Sequence, residues 1–120
     1  RVATGETGGF RGIYFDDSDV YKWLEAVAYF PDAPADVLAA ADRAIGLVEK
    51  AQRPDGYLNT YFQLEKPGME FRNLAAMHEM YCAGHLLEAA AAWLENRVDD
   101  RLATVAAKWH AHLAARFGPD

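Results

Sequence analysis

The chain has 120 residues, one domain's worth at most. It is 52% hydrophobic and 25% charged, an ordinary globular balance, and its formal net charge of −6 argues against nucleic acid and anionic membranes as partners, since both need a basic face. Charged residues recur too often for any apolar run to span a bilayer, and the single cysteine, Cys82, excludes an internal disulfide and a multi-cysteine zinc site. These features lead us to expect a soluble protein, with the compartment left open between cytoplasm and export. The chain opens on Arg1 rather than Met, so we expect its natural start to be missing.

Residues 1–17 read as an irregular, glycine-rich lead-in, with Gly5, Gly8, Gly9 and Gly12. Asp16-Asp17-Ser18-Asp19 then carries helix N-cap chemistry, and a first helix is predicted from about Ser18 to Phe30. Pro31-Asp32-Ala33-Pro34 breaks it. A second helix fits Ala35 to Gln52 and ends at the turn residues Arg53-Pro54-Asp55-Gly56. Residues 53–72 form a long connection rich in aromatic residues. Asn73 is placed to cap a third helix reaching about Glu95, and a fourth runs from about Asp99 to Arg116, stopped by Gly118 and Pro119.

The helices differ in kind. The second (Leu38, Ala41, Ile45, Val48) and the fourth (Leu102, Val105, Ala106, Trp109, Leu113) each carry one apolar stripe. The first (Val20, Trp23, Leu24, Val27, Tyr29, Phe30) and the third (Met77, Tyr81, Leu86, Leu87, Ala90, Trp93, Leu94) are apolar nearly all round, as helices covered on every side are. Trp23-Leu24-Glu25-Ala26 is echoed by Leu86-Leu87-Glu88-Ala89 about sixty residues later. An all-α fold of two helical hairpins follows, with the first and third helices on the inside of a ring. Two hairpins cannot close a ring, so we expect a fragment with an exposed apolar surface that self-associates in isolation. A complete four-helix bundle would instead show four similar stripes.

Polar and aromatic residues gather near the starts of the inner helices. Aromatic rings beside carboxylates and amides suit sugars, whose CH faces pack on rings while their hydroxyls take hydrogen bonds. Asp16 and Asp17 read as cap residues that complement the helix dipole. Asp55-Gly56 serves a turn as readily as a cavity, and Tyr57 and Tyr61 could equally pack the loop onto a rim. Glu25 and Glu88 stand in apolar helices, where a carboxylate is costly unless paired, and Lys22 is a candidate partner. His78, Cys82 and His85 share one helix face, beside Glu79, and half-match a His-Glu-x-x-His metal motif. The match fails at its second ligand, where Cys82 stands, so Cys82 reads as a packing residue and His85 as a hydrogen-bonded core histidine. His78, nearer the helix start, is the better candidate for touching a ligand. His110 and His112 belong to the outer helix.

Three segments, Ser18-Asp19-Val20-Tyr21-Lys22-Trp23-Leu24-Glu25-Ala26, Gln52-Arg53-Pro54-Asp55-Gly56-Tyr57-Leu58-Asn59-Thr60-Tyr61 and His78-Glu79-Met80-Tyr81-Cys82-Ala83-Gly84-His85-Leu86-Leu87-Glu88-Ala89, resemble successive motifs of glycoside hydrolase family 127, the β-L-arabinofuranosidases. The similarity covers nearly the whole chain, and the three segments together are specific where Gln-x-x-Asp-Gly alone is not. The resemblance implies that residues 1–120 are a fragment of a single (α/α)6-barrel catalytic domain in a longer retaining glycosidase that releases L-arabinofuranose. It implies a cysteine nucleophile held by zinc and a glutamate acid/base, all downstream of this chain. No catalytic residue or cofactor is therefore expected within it, and the isolated fragment is expected to be inactive. His78 matches a family histidine that contacts the sugar. Asp19, Asp55 and Tyr57 match motif positions and join His78 as expected substrate-binding residues, with Asp55, Tyr57 and His78 converging at one mouth. Another (α/α)-toroid enzyme, such as a polysaccharide lyase or unsaturated glycosidase, is the first alternative. A helical-repeat binding module is the second, disfavoured because a tetratricopeptide period is about 34 residues.

Overall fold

A computed structural model describes residues 2–5, 15–72 and 78–118. The expected features at Gly8, Gly9, Gly12, Asn73, Met77 and Pro119 lie outside the described residues. Among the described residues, a short 3-10 turn at Val2–Thr4 precedes five α-helices: α1 (Asp17–Ala28), α2 (Ala35–Ala51), α3 (Thr60–Glu65), α4 (Glu79–Arg97) and α5 (Arg101–Phe117). No strand occurs among the described residues, and no helix there is long and apolar enough to cross a membrane.

The long helices match the sequence pattern. α1 carries Asp17 and Asp19 in its first turn, where they complement the dipole. Ser18, fully buried, donates from its hydroxyl to the Phe15 carbonyl at 2.8 Å. Pro34 stands at the N-cap of α2, and α2 ends where Gln52 turns extended ahead of Pro54. α3 is an addition inside the 53–72 connection. Asn59 caps it by accepting from the Phe62 N–H at 3.2 Å, while Gln63 reaches back to accept from the Asn59 N–H at 2.9 Å.

The helices form two hairpins, α1–α2 and α4–α5, packed with α1 alongside α4 and α2 alongside α5. α1 and α4 run parallel, since Phe15 meets Cys82 at their starts and Leu24 meets Trp93 towards their ends. Trp93 Nε1 donates to the Leu24 carbonyl at 2.8 Å, and Arg97 donates to the carbonyls of Val27 and Phe30, so side chains of α4 tie down the end of α1. Arg101 bridges Asp99 and Asp42 at 2.7 and 2.8 Å, fixing the start of α5 against α2. Tyr21, Leu24, Ile45, Leu86, Trp93, Leu102 and Trp109 make the core, and Ala83, Ala89 and Ala90 keep α4 slim where it is buried.

The all-round apolar character of the inner helices has a visible consequence. One side of each is buried, but Val20, Trp23, Tyr29 and Phe30 of α1, and Met80, Tyr81, Leu87 and Leu94 of α4, remain exposed. Glu88, expected inside, is also on this open side, and Lys22 lies over the Tyr81 ring at 5.1 Å instead of pairing with Glu25 or Glu88.

α4 ends at Val98, whose φ of 52° is left-handed and whose side chain is 88% exposed. A β-branched residue is strained there and loses little contact on removal. Val98→Gly is expected to stabilise the chain by about 1 kcal/mol, read as a higher urea midpoint with an unchanged slope.

Candidate functional site

The starts of α1 and α4 share one end of the molecule. His78 precedes α4 in a left-handed conformation with φ 59°, so the third helix does not run unbroken from Asn73. Its imidazole lies flat on Phe15, with ring centres 5.1 Å apart, and meets the edge of Tyr81 at 5.4 Å. Tyr81 in turn meets His85 edge-on at 4.6 Å. Lys22 covers Tyr81 from α1, and Asp19, exposed one turn earlier, is close enough to act on the Lys22 charge. His78, Tyr81, His85, Lys22 and Asp19 thus form a polar and aromatic face that is open or half-open to solvent. Such a face offers rings to a sugar's CH groups and donors and acceptors to its hydroxyls. His85 was expected in the core. It is instead half-buried on this face, with Nδ1 3.8 Å from Glu88 Oε2.

Behind this face lies a buried polar layer. Glu79, wholly buried, accepts from Tyr57 Oη on Oε2 at 2.5 Å and from the Phe71 N–H on Oε1 at 2.9 Å. Burial pushes the Glu79 carboxyl above the usual carboxylate range, against the opposing pull of those two hydrogen bonds. Burial, followed by the hydrogen bond to Glu79 and its charge, pushes the Tyr57 hydroxyl well up. Asp17 is more than a cap residue. Its carboxylate accepts from the Thr60 N–H at 2.7 Å and the Thr60 hydroxyl at 2.5 Å, tying α1 to α3, and burial raises its pKa. Cys82 is the packing residue expected, with its Sγ 3.7 Å from the Phe15 carbonyl oxygen and burial pushing its thiol up to about 12.

The expected convergence of Asp55, Tyr57 and His78 on one mouth resolves into two places. Tyr57 is in the interior, its ring edge-on to Trp109 at 5.0 Å, and only its hydroxyl reaches the neighbourhood of His78, through Glu79. Asp55 faces the outer helix. Its carboxylate pairs with Arg53 and accepts from the Tyr57 N–H at 3.0 Å, and its carbonyl is 3.1 Å from His112 Nδ1. The Arg53 hydrogen bonds hold the Asp55 carboxyl below its ordinary range. Gln52 completes the turn by donating to the carbonyls of Gly56 and Val105, both at 2.8 Å. The Gln-Arg-Pro-Asp-Gly segment is therefore a turn seated on α5, with side-chain needs met inside the fold.

Sequence reasoning passed over Glu79 and Asp17 as the residues that hold this end together. Their partners, Tyr57 and Thr60, are 22 and 43 positions away. No three His, Cys, Asp or Glu side chains gather to hold a metal among the described residues.

Residues 2–120 match the family described as Beta-L-arabinofuranosidase, GH127 catalytic domain. The chain belongs to the GH127 family. It is 42% identical, over its whole length, to a non-reducing end beta-L-arabinofuranosidase of Bifidobacterium longum subsp. longum, of which it covers 19%. Its fold superposes on a GH127 beta-L-arabinofuranosidase from Geobacillus stearothermophilus T6 with a TM-score of 0.91 and 42% identity, across 99% of this chain and 19% of that one. A second GH127 structure, a beta-arabinofuranosidase, gives a TM-score of 0.79 at 30% identity, across 98% of this chain and 21% of that one. The chain thus spans about a fifth of the length of these GH127 relatives, and the α1–α5 array is the corresponding helical part of the GH127 fold.

Proposed function

We propose that this chain forms one wall of the sugar pocket in a longer glycoside hydrolase that acts on L-arabinofuranosides. The observation that carries the reading is the half-buried His78, its ring held between Phe15 and Tyr81 at the start of an inner helix. One imidazole nitrogen is enough to donate to or accept from a neighbouring hydroxyl, and Tyr81 supplies a ring for a CH face. Asp19 and Lys22 extend the same wall. Tyr57 and Asp55 serve it from behind, one as the buried anchor of Glu79 and the other as the brace of the turn on α5. The bond-breaking groups, and the zinc that the family resemblance implies, belong in this reading to residues outside this chain, so the chain alone has no turnover.

In the full-length protein, His78→Ala is expected to reduce kcat/KM on an aryl β-L-arabinofuranoside by about 1–3 kcal/mol of transition-state binding, with the thermal midpoint little changed. Wild-type kcat/KM together with a large loss of stability would assign His78 to the fold instead.

The reading also accounts for the exposed apolar side of α1 and α4. Trp23 and Phe30 on α1, and Leu87 and Leu94 on α4, are large apolar side chains that belong under further structure. The isolated chain is expected to self-associate and to bind a hydrophobic dye. Replacing Leu87 and Leu94 with Glu should cut dye binding severalfold. A monodisperse wild-type monomer that binds no dye would contradict this.

A further inference from the structure

We infer that Glu79 is a positioning residue for His78, a role that rests on reading His78 as a sugar contact. An acidic residue in the first turn of α4 would favour the helix dipole even from the surface. Glu79 is instead wholly buried, and each carboxylate oxygen has a specific donor, Tyr57 Oη on one and the Phe71 N–H on the other. Burying a carboxylate is costly, so satisfied bonds of this kind mark a place that must be held.

What they hold are two backbone positions, Phe71 and His78. Both residues are left-handed, with φ of 62° and 59°, a conformation that L side chains rarely adopt. Glu79 secures the first through its N–H and the second through the peptide bond it shares with His78. Tyr57 then anchors Glu79 to the core, packed edge-on against Trp109 at 5.0 Å. The left-handed turn at His78 is what carries its ring off the start of α4 and flat against Phe15. Without Glu79, two strained residues lose their common tether and the imidazole loses its fixed place. Catalysis is sensitive to displacements of this kind, since a shift of about 1 Å in a positioned group can cost about a hundredfold in rate.

A double-mutant cycle in the full-length protein tests this, with kcat and KM measured on an aryl β-L-arabinofuranoside. Glu79→Ala is expected to lower kcat/KM by about tenfold or more in the wild-type background, and by less than about threefold once His78 is already alanine. Glu79→Gln should stay within about threefold of wild type, because its amide oxygen still accepts from Phe71 and its NH2 can donate to Tyr57 Oη. Should Glu79→Ala fail to accumulate as folded protein, Tyr57→Phe removes one of the two bonds and enters the same cycle. An equal loss in both backgrounds would overturn the positioning role and leave Glu79 a structural residue. Wild-type kcat/KM in His78→Ala alone would instead overturn the sugar contact, and the positioning role with it.

Discussion

Gly56→Ala is expected to destabilise the chain by about 3 kcal/mol, combining backbone strain with an overpacked contact. Gly56 closes the turn that follows α2 with φ at +95°, where an L side chain is strained. A Cβ there would fall 2.3 Å from the Lys108 carbonyl oxygen and 2.9 Å from its carbonyl carbon. Neither atom belongs to a flexible side chain. Both are backbone of α5, fixed by its own hydrogen bonds, so the turn would have to lift away. Lifting it would break the bonds from Gln52 to Gly56 and Val105 and loosen Tyr57, the next residue. Gly46 is the control. It lies in α2, where an added Cβ would meet nothing within 4 Å, and Gly46→Ala should stabilise by about 1 kcal/mol through helix propensity. Urea unfolding at low protein concentration reads both, and equal midpoints for the two variants would refute the close approach to Lys108.

The long helices were legible because their signals are local. Pro31 and Pro34 separate α1 from α2, and apolar residues at three- and four-residue spacing mark α2 and α5. α3 was not legible, since six residues are too few to show a period. Its one signal is Asn59 followed by Gln63, a pair that caps the turn from both directions. The site divides in the same way. His78 stood out because its motif is local and opens a helix, and the structure keeps Tyr81 beside it and His85 beside Tyr81. Asp55 and Tyr57 looked similar in kind because an Asp-Gly-Tyr segment has the same appearance whether it lines a cavity or caps a helix junction. Only the packing against α5 separates those cases. Glu79 was hidden by its neighbour, since the left-handed turn at His78 sends the two side chains apart, His78 onto Phe15 and Glu79 towards Tyr57. The apolar sides of α1 and α4 were legible, and their exposure is what a ring of hairpins requires of two hairpins.

Trp93→Ala is expected to be as damaging as the Gly56 substitution, at about 3–5 kcal/mol. Trp93 is almost fully buried between the hairpins, and its indole N–H donates to the Leu24 carbonyl at 2.8 Å. Its loss would open a cavity between α1 and α4 and remove the one side-chain hydrogen bond that Trp93 makes across it. Trp93→Phe separates the two effects. It keeps most of the volume and removes the donor, so about 1–2 kcal/mol is expected. Phe30 supplies the comparison. It occupies the place of Trp93 in the preceding repeat, counted from the Trp23–Ala26 and Leu86–Ala89 echo, yet it is 54% exposed. Phe30→Ala in the isolated chain should therefore cost under about 1 kcal/mol. The two repeats thus carry an aromatic residue at the same place, but only in the second does it have a hairpin to bury against. If Phe30→Ala and Trp93→Ala prove equally destabilising, the inner helices are covered on both sides and the two-hairpin arrangement is wrong.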